Sequence, residues 1–300
     1  MLRVGALSFV SLFMPDIPLS ARAAPALLTR PIPSTGEPLP AVGLGTWQAF
    51  DVAGDAAAID EARATLRALV AAGGRLIDSS PMYGSAESVA GELVSELGIR
   101  DRLFVATKVW TEGRNAGRAQ MDASMKKLRV ERLDLMQVHN LVDSGTHLET
   151  LREWKAAGRV RYVGVTHYHA GAHAALETIV RSGEVQFVQV NYSIAEPEAE
   201  RRLLPVAADK GVAVVVNRPF AEGAMFRSVK GKPLPPLAAE LGCESWAQLF
   251  LKWILSHPAV TAAIPGTRNP RHLADNLAAA TGPMPDAAAR RRIAEHFASL

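Results

Sequence analysis

The sequence predicts an α/β fold organised on a parallel sheet, and three observations predict it. Short apolar runs of strand length alternate with segments of helical periodicity from Ala41 almost to the end of the chain. One run, Val212–Val216, is apolar at every position, as in a parallel strand covered on both faces. Ionisable side chains also stand just past successive runs: Asp78 and Tyr83 follow Leu76-Ile77, Lys108 follows Leu103–Thr107, and His139 follows Leu133–Val138. In a closed parallel sheet such carboxyl ends share one mouth. A chain of 300 residues, 48% hydrophobic and 21% charged, is long enough for one large core.

Taken in order, Leu27–Pro40 is proline-rich and suits a short hairpin under the sheet. Ala41–Trp47 reads as the first strand, with Gly43 and Gly45 permitting close backbone approach. Asp55–Ala72 places Ile59, Ala62, Leu66, Leu69 and Val70 at helical spacing and stops at Gly73-Gly74. Strand and turn follow in RLIDSSPMYGSAE (75–87), then a helix over Ser85–Leu97 closed by Gly98. The strand before Lys108 precedes a helix expected over Ala119–Leu128, and the strand before His139 precedes one expected over Leu148–Ala157. Val160–Val165 is a strand, Ala172–Ser182 a helix, Gln186–Val190 a strand and Arg201–Lys210 a helix. After Val212–Val216 comes Gly223–Pro236, read as a loop able to act as a flap. Ser245–Ser256 is helical and Thr261–Ile264 is the last strand. Asn269 then caps a helix with Pro270 at its first position.

Singly, the four ionisable residues have ordinary readings: a helix cap for Asp78, packing for Tyr83, a solvated tip for Lys108 and a core histidine for His139. Together they form a proton-donating set. A free phenol, with a pKa of about 10, is a weak acid near neutrality. An ammonium at Lys108 is expected to lower it, with Asp78 keeping that ammonium charged and oriented. A neutral His139 would orient a carbonyl oxygen toward Tyr83.

IDSSPMYGSAE, FVATKVW and LDLMQVHN, in this order and spacing, resemble the tetrad segments of the aldo/keto reductase superfamily. The likeness runs from about Leu28 to Leu277. It implies a (β/α)8 TIM barrel whose bottom is closed by the N-terminal hairpin. It also implies hydride transfer from a reduced nicotinamide cofactor to a small carbonyl substrate, with Asp78, Tyr83, Lys108 and His139 as catalytic residues. By the same resemblance Gly45, Thr46 and Pro219 lie beside the cofactor, with Thr166, His167, Gln189 and Asn217 at its nicotinamide end. Thr267, Arg268, Arg271, His272, Asp275 and Asn276 lie at its adenosine end, and Trp47, Trp110 and Asn140 line the substrate pocket. Trp47 reads as core packing as well.

Three positions depart from the family pattern. Thr166-His167 stands where Ser-Asn is usual, Asn140 where a larger residue is common, and Asn217 where an aromatic stacks on the nicotinamide. Phe220 or Arg218 is expected to replace that aromatic, or the ring to be held less tightly. A helix start beside Arg268 and Arg271 suits phosphate, which favours NADPH while leaving NADH open. A second reading, a cofactor-binding regulatory or partner-binding subunit with weak catalysis, rests on His167 and Asn217.

Composition excludes other classes. The net charge of +3, from 33 basic and 30 acidic residues, forms no basic stripe for nucleic acid. Cys243 is the one cysteine, so no internal disulfide or cysteine-based zinc site is available, and no metal is expected. No G-x-G-x-x-G follows a strand, and neither G-x-S-x-G nor H-E-x-x-H occurs. Residues 1–24 have the layout of a weak signal peptide, with Arg3, an apolar run from Val4 to Met14 and Ala21-Arg22-Ala23, interrupted by Pro15, Asp16 and Pro18. Export and a cytoplasmic location both stay open. The run is too short to span a bilayer, and residues 25–300 are expected to form one barrel domain, favoured as a monomer.

Overall fold

A computed structural model describes residues 26–300, so the reading of residues 1–24 lies outside the described part. The chain enters through a hairpin of β1 (Thr29–Pro31) and β2 (Pro38–Pro40), paired antiparallel. Then β3 (Leu44–Gly45), β4 (Leu76–Asp78), β5 (Phe104–Val109), β6 (Leu133–His139), β7 (Val160–Thr166), β8 (Phe187–Asn191), β9 (Ala213–Asn217) and β10 (Val260–Ala263) form one parallel sheet in chain order. Parallel bridges Val42↔Ala263 and Gly45↔Gly266 join its first and last strands, closing the barrel.

Helices α1 (Ala56–Ala71), α2 (Ala86–Leu97), α3 (Arg114–Leu128), α4 (Ser144–Ala156), α5 (His173–Ser182) and α6 (Leu203–Asp209) alternate with the strands. After β9 come α7 (Ala224–Ser228), α8 (Pro236–Glu240) and α9 (Trp246–Leu255), and after β10 come α10 (Pro270–Ala278) and α11 (Ala287–Ala298). Local chemistry sets the ends. Asp55, Ser245, Asn269 and Asp286 accept backbone N–H groups as N-caps, and Gly98 ends α2 at a φ of 63°.

Several expectations need correction. The first strand is shorter than Ala41–Trp47: only Leu44 and Gly45 pair with β4, while Ala41, Val42 and Gly43 meet β10 at the single residue Ala263. The third and fourth helices begin at Arg114 and Ser144, upstream of their first apolar residues. Gly223–Pro236 is not a plain loop, since α7 lies within it and α8 begins at Pro236. The C-terminal helix was not expected at all. It is fastened by Arg290, which donates to the Trp253 carbonyl, pairs with Glu200 at 2.6 Å and donates to the Tyr192 hydroxyl at 2.8 Å.

Two cores result. One lies between sheet and helices. The other fills the lower barrel, where Phe104, Ala106, Leu135, Tyr162, Phe187, Ala213 and Val215 pack on Ile32 and Leu39 of the hairpin. Alternation along each strand then carries the inward face from apolar to polar, so that Phe104 and Ala106 lead to Lys108, Leu135 to Gln137 and His139, and Phe187 to Gln189. The lower core holds the walls together, and emptying it by Phe187→Ala would cost about 3–5 kcal/mol. The upper rungs present the chemistry.

Candidate active site at the carboxyl ends of the strands

The four tetrad residues converge at the mouth. Lys108 and Asp78, on the neighbouring strands β5 and β4, are both buried, and Lys108 Nζ donates to Asp78 Oδ2 at 2.5 Å and to the Ser79 carbonyl at 2.7 Å. Lys108 Nζ lies 4.9 Å from the centre of the Tyr83 ring. The Tyr83 and His139 rings meet edge to face with centroids 5.8 Å apart. Burial works against the Lys108 charge, but the Asp78 carboxylate and Tyr83 outweigh it and hold the ammonium above its ordinary pKa.

Tyr83 corrects the sequence reading. Burial first, and then the Asp78 charge, raise the phenol pKa while Lys108 lowers it, and the net direction in the free protein is upward. The lysine limits the rise and does not reverse it. Tyr83 therefore stays protonated through neutral pH.

His139 is held neutral, its pKa pushed down to about 2, first by burial and then by the Lys108 charge. Ser80 Oγ accepts the Met82 amide at 3.3 Å and lies 2.9 Å from His139 Nδ1. In the tautomer whose Nδ1 accepts the Ser80 proton, Nε2 carries the ring hydrogen and is free to donate. Neither Ser80 nor Gln137, a third polar contact of the set, was singled out in the sequence. Gln137 Nε2 donates to Asp78 Oδ1 at 3.1 Å, and its alternation with Leu135 and His139 was the available signal.

The residues expected beside the nicotinamide are brought together and joined by hydrogen bonds. A Cβ at Gly45 would stand 2.8 Å from the Ile264 carbonyl, so strand closure is what requires glycine there. Thr46 is buried and donates its hydroxyl to the Asp78 carbonyl at 3.0 Å. Gln189 spends its amide on the protein: Nε2 donates to Asp78 Oδ1 at 2.9 Å, and Oε1 accepts from Thr166 Oγ1 at 3.2 Å and Asn217 Nδ2 at 3.3 Å. Asn217 also donates to the His167 carbonyl at 3.1 Å, while its Oδ1 is buried without a partner.

His167 accepts the Tyr168 amide at Nδ1, 2.9 Å away, so a neutral ring carries its hydrogen on Nε2. Burial, then His169 and His173, push its pKa down. Pro219 is buried after β9. The two residues expected to replace the stacking aromatic both have partners within the protein. Phe220 packs on Phe226 with centroids 4.8 Å apart, and Arg218 donates to the Tyr168 carbonyl at 2.8 Å. The aromatic beside this place is Tyr168, stacked on His167 at 5.1 Å.

At the far end Thr267 Oγ1 accepts the Asn269 amide at 3.0 Å, and Asn269 Oδ1 accepts the Arg271 amide at 2.9 Å. Arg268 pairs with Glu61 at 3.1 Å, whereas Arg271 and His272 are exposed and make no ion pair among the described residues. Asp275 is committed to α9, accepting from Ser245 Oγ at 2.7 Å and Gln248 Nε2 at 2.6 Å, and Asn276 is buried.

Trp47 and Trp110, 43% and 41% exposed, stand at the surface and not in the core. The Trp110 ring lies 6.4 Å from that of His139, and Gln120 clamps its backbone at both N and O. Asn140, at a φ of 52°, keeps Oδ1 buried and without a partner. Among the described residues, no helix is long and apolar enough to cross a membrane.

Comparison with known proteins agrees with this geometry. The family model described as the aldo/keto reductase family matches residues 41–293. Similar proteins include the methylglyoxal reductase YeaE of Escherichia coli, 30% identical over 80% of this chain and 85% of that one. The aldo-keto reductase YhdN of Bacillus subtilis is 27% identical over 81% and 85%. A crystal structure of an aldo/keto reductase from Klebsiella pneumoniae in complex with NADP and acetate superposes with a TM-score of 0.73 at 26% identity, covering 87% of this chain and 93% of that one.

Proposed function

This chain belongs to the aldo/keto reductase family, and from that premise we propose that it is an NAD(P)H-dependent reductase converting the carbonyl of a small aldehyde or ketone to an alcohol, with Tyr83 as proton donor. One observation carries the reading: Tyr83, Lys108, Asp78 and His139 converge at the barrel mouth.

The residues fit a nicotinamide dinucleotide at both ends. The unpartnered Asn217 Oδ1 and the Nε2–H of His167 suit the donor and acceptor of a carboxamide. Arg271, Arg268 and His272, beside the capped start of α10, suit phosphate. The relative from Klebsiella pneumoniae was crystallised with NADP, and the unpaired Arg271 favours NADPH over NADH here.

When bound, the reduced nicotinamide supplies a hydride to the carbonyl carbon. The carbonyl oxygen then gains negative charge and takes the Tyr83 proton, so one C–H and one O–H bond form. Lys108 stabilises the phenolate left behind, and Asp78 keeps the ammonium charged. His139 donates its Nε2–H to the same oxygen, holding it toward Tyr83. Burial of Tyr83 keeps the proton on the phenol until the oxygen is basic enough to take it.

Tyr83→Phe tests this. Following NADPH consumption with methylglyoxal and benzaldehyde, turnover should fall about 100- to 10,000-fold, with the fold and NADPH affinity retained. Unchanged turnover would overturn the assignment. The regulatory reading finds no support in the site, because the tetrad is complete and the departures at His167 and Asn217 are built into its hydrogen bonds.

A further inference from the structure

Asp78 is gripped on both carboxylate oxygens. Oδ2 faces Lys108, while Oδ1 accepts Nε2 of Gln189 at 2.9 Å and Nε2 of Gln137 at 3.1 Å. Both glutamines are buried. An ionised carboxylate can only accept, so both amide nitrogens must face it. Gln189 Nε2 also lies 3.4 Å from Gln137 Oε1, and Gln189 Oε1 accepts from Thr166 and Asn217.

The string crosses β7, which lies between the strands bearing the two glutamines. Gly164 makes the crossing fit. A Cβ there would stand 3.1 Å from Gln137 Cγ and 2.9 Å from the Phe187 carbonyl. Apolar side chains would fill this layer without the desolvation cost of two buried amides, yet the layer holds three amides and a carboxylate in mutual contact.

We propose that Gln137 and Gln189 form an amide clamp that keeps the Asp78 carboxylate aligned on Lys108, so that Gln137 is a positioning residue for proton donation by Tyr83. The proposal rests on the reductase reading above. Two N–H dipoles point their positive ends at Oδ1, which stabilises negative charge on Asp78 and, more weakly, on the Tyr83 oxygen beyond it. The other titratable groups around this set are His139 on β6, His167 just past β7, and Glu87 of α2 behind β5. Removing the Gln137 donor makes the site more negative, so Tyr83 loses its proton at a higher pH than in the wild type.

The test uses the full chain, NADPH and methylglyoxal, with kcat, KM and NADPH affinity measured across pH. Gln137→Met removes the donor at similar volume. It should lower kcat about tenfold to hundredfold, the scale of a small misplacement of a catalytic group, and move the alkaline limb of kcat upward, with NADPH affinity unchanged. Gln137→Glu keeps the shape and places a second carboxyl beside Asp78; the pair then shares one proton, and activity should recover toward acid pH. If the Met variant does not fold, the Glu variant carries the test.

A wild-type pH profile in the folded variants overturns the clamp, whether or not kcat falls. Tyr83→Phe in the same assay separates the two ideas. Full turnover in that variant overturns the reductase reading, whereas an inactive Tyr83→Phe beside unmoved Gln137 profiles overturns the clamp alone.

Discussion

The Glu87 carboxyl accepts the Thr107 hydroxyl at 2.6 Å on the outer face of β5, behind Lys108. Among the described residues its second oxygen has no hydrogen-bond partner, and Lys127 approaches only to 3.9 Å. Burial therefore dominates and raises the Glu87 pKa. A raised carboxyl pKa means that the folded state keeps its proton to higher pH than the unfolded chain. The associated stability is fully present below the unfolded value and is lost as pH rises through the folded one. Glu87→Gln mimics the protonated form. Its thermal midpoint should exceed that of the wild type by a few degrees at about pH 8 and converge with it near about pH 4. A constant offset in melts across pH would contradict this.

Breaking the buried ion pair should be felt in the fold as well as in turnover. Lys108→Met leaves Asp78 charged, buried and facing an apolar side chain, at a cost of about 3–5 kcal/mol. The double variant Asp78→Asn with Lys108→Met should regain part of that stability while remaining inactive. Denaturant unfolding of the two singles and the double measures the coupling.

Removing the Ser80 hydroxyl takes away the hydrogen-bond partner of His139 Nδ1. Ser80→Ala should reduce kcat about tenfold, a loss of orientation and not of the donor itself, and leave NADPH affinity unchanged. With His139 held neutral down to about pH 2, no titration of this ring should appear in kcat in either protein between about pH 5 and 8. Steady-state profiles over that range check both statements.

Arg271 is the exposed cation at the start of α10 that makes no ion pair among the described residues, whereas Arg268 has Glu61. Arg271→Ala should weaken NADPH about tenfold or more, the scale of a charge-assisted hydrogen bond, and leave NADH nearly unaffected. Tryptophan fluorescence titration with both cofactors reads the difference, and equal losses would remove the 2′-phosphate assignment.

The tetrad was legible because its members stand at the ends of apolar runs, where chain order alone brings chemistry to one rim. Gln137 was not, since a glutamine inside LDLMQV reads as part of the run until its alternation with His139 is followed. The acidity of Tyr83 could not be read either: Lys108 is visible in the chain, but the burial that outweighs it belongs to the packed barrel. Helix α11 escaped notice because Ile293 is its one fully buried side chain and its anchor, Arg290, is charged. The early start of α3 was hidden in the same way by the polar stretch Arg114–Arg118.

Beneath the polar layer the Phe104 ring stacks on that of Tyr162, and Phe187 packs tilted on the first and edge-on to the second; Glu37 of the hairpin pairs with Arg161 and receives the Tyr162 hydroxyl at 2.9 Å. Such a plug stops the barrel from below. In the proposed reaction, a proton given up by Tyr83 would therefore be restored from the open mouth, once the product has left.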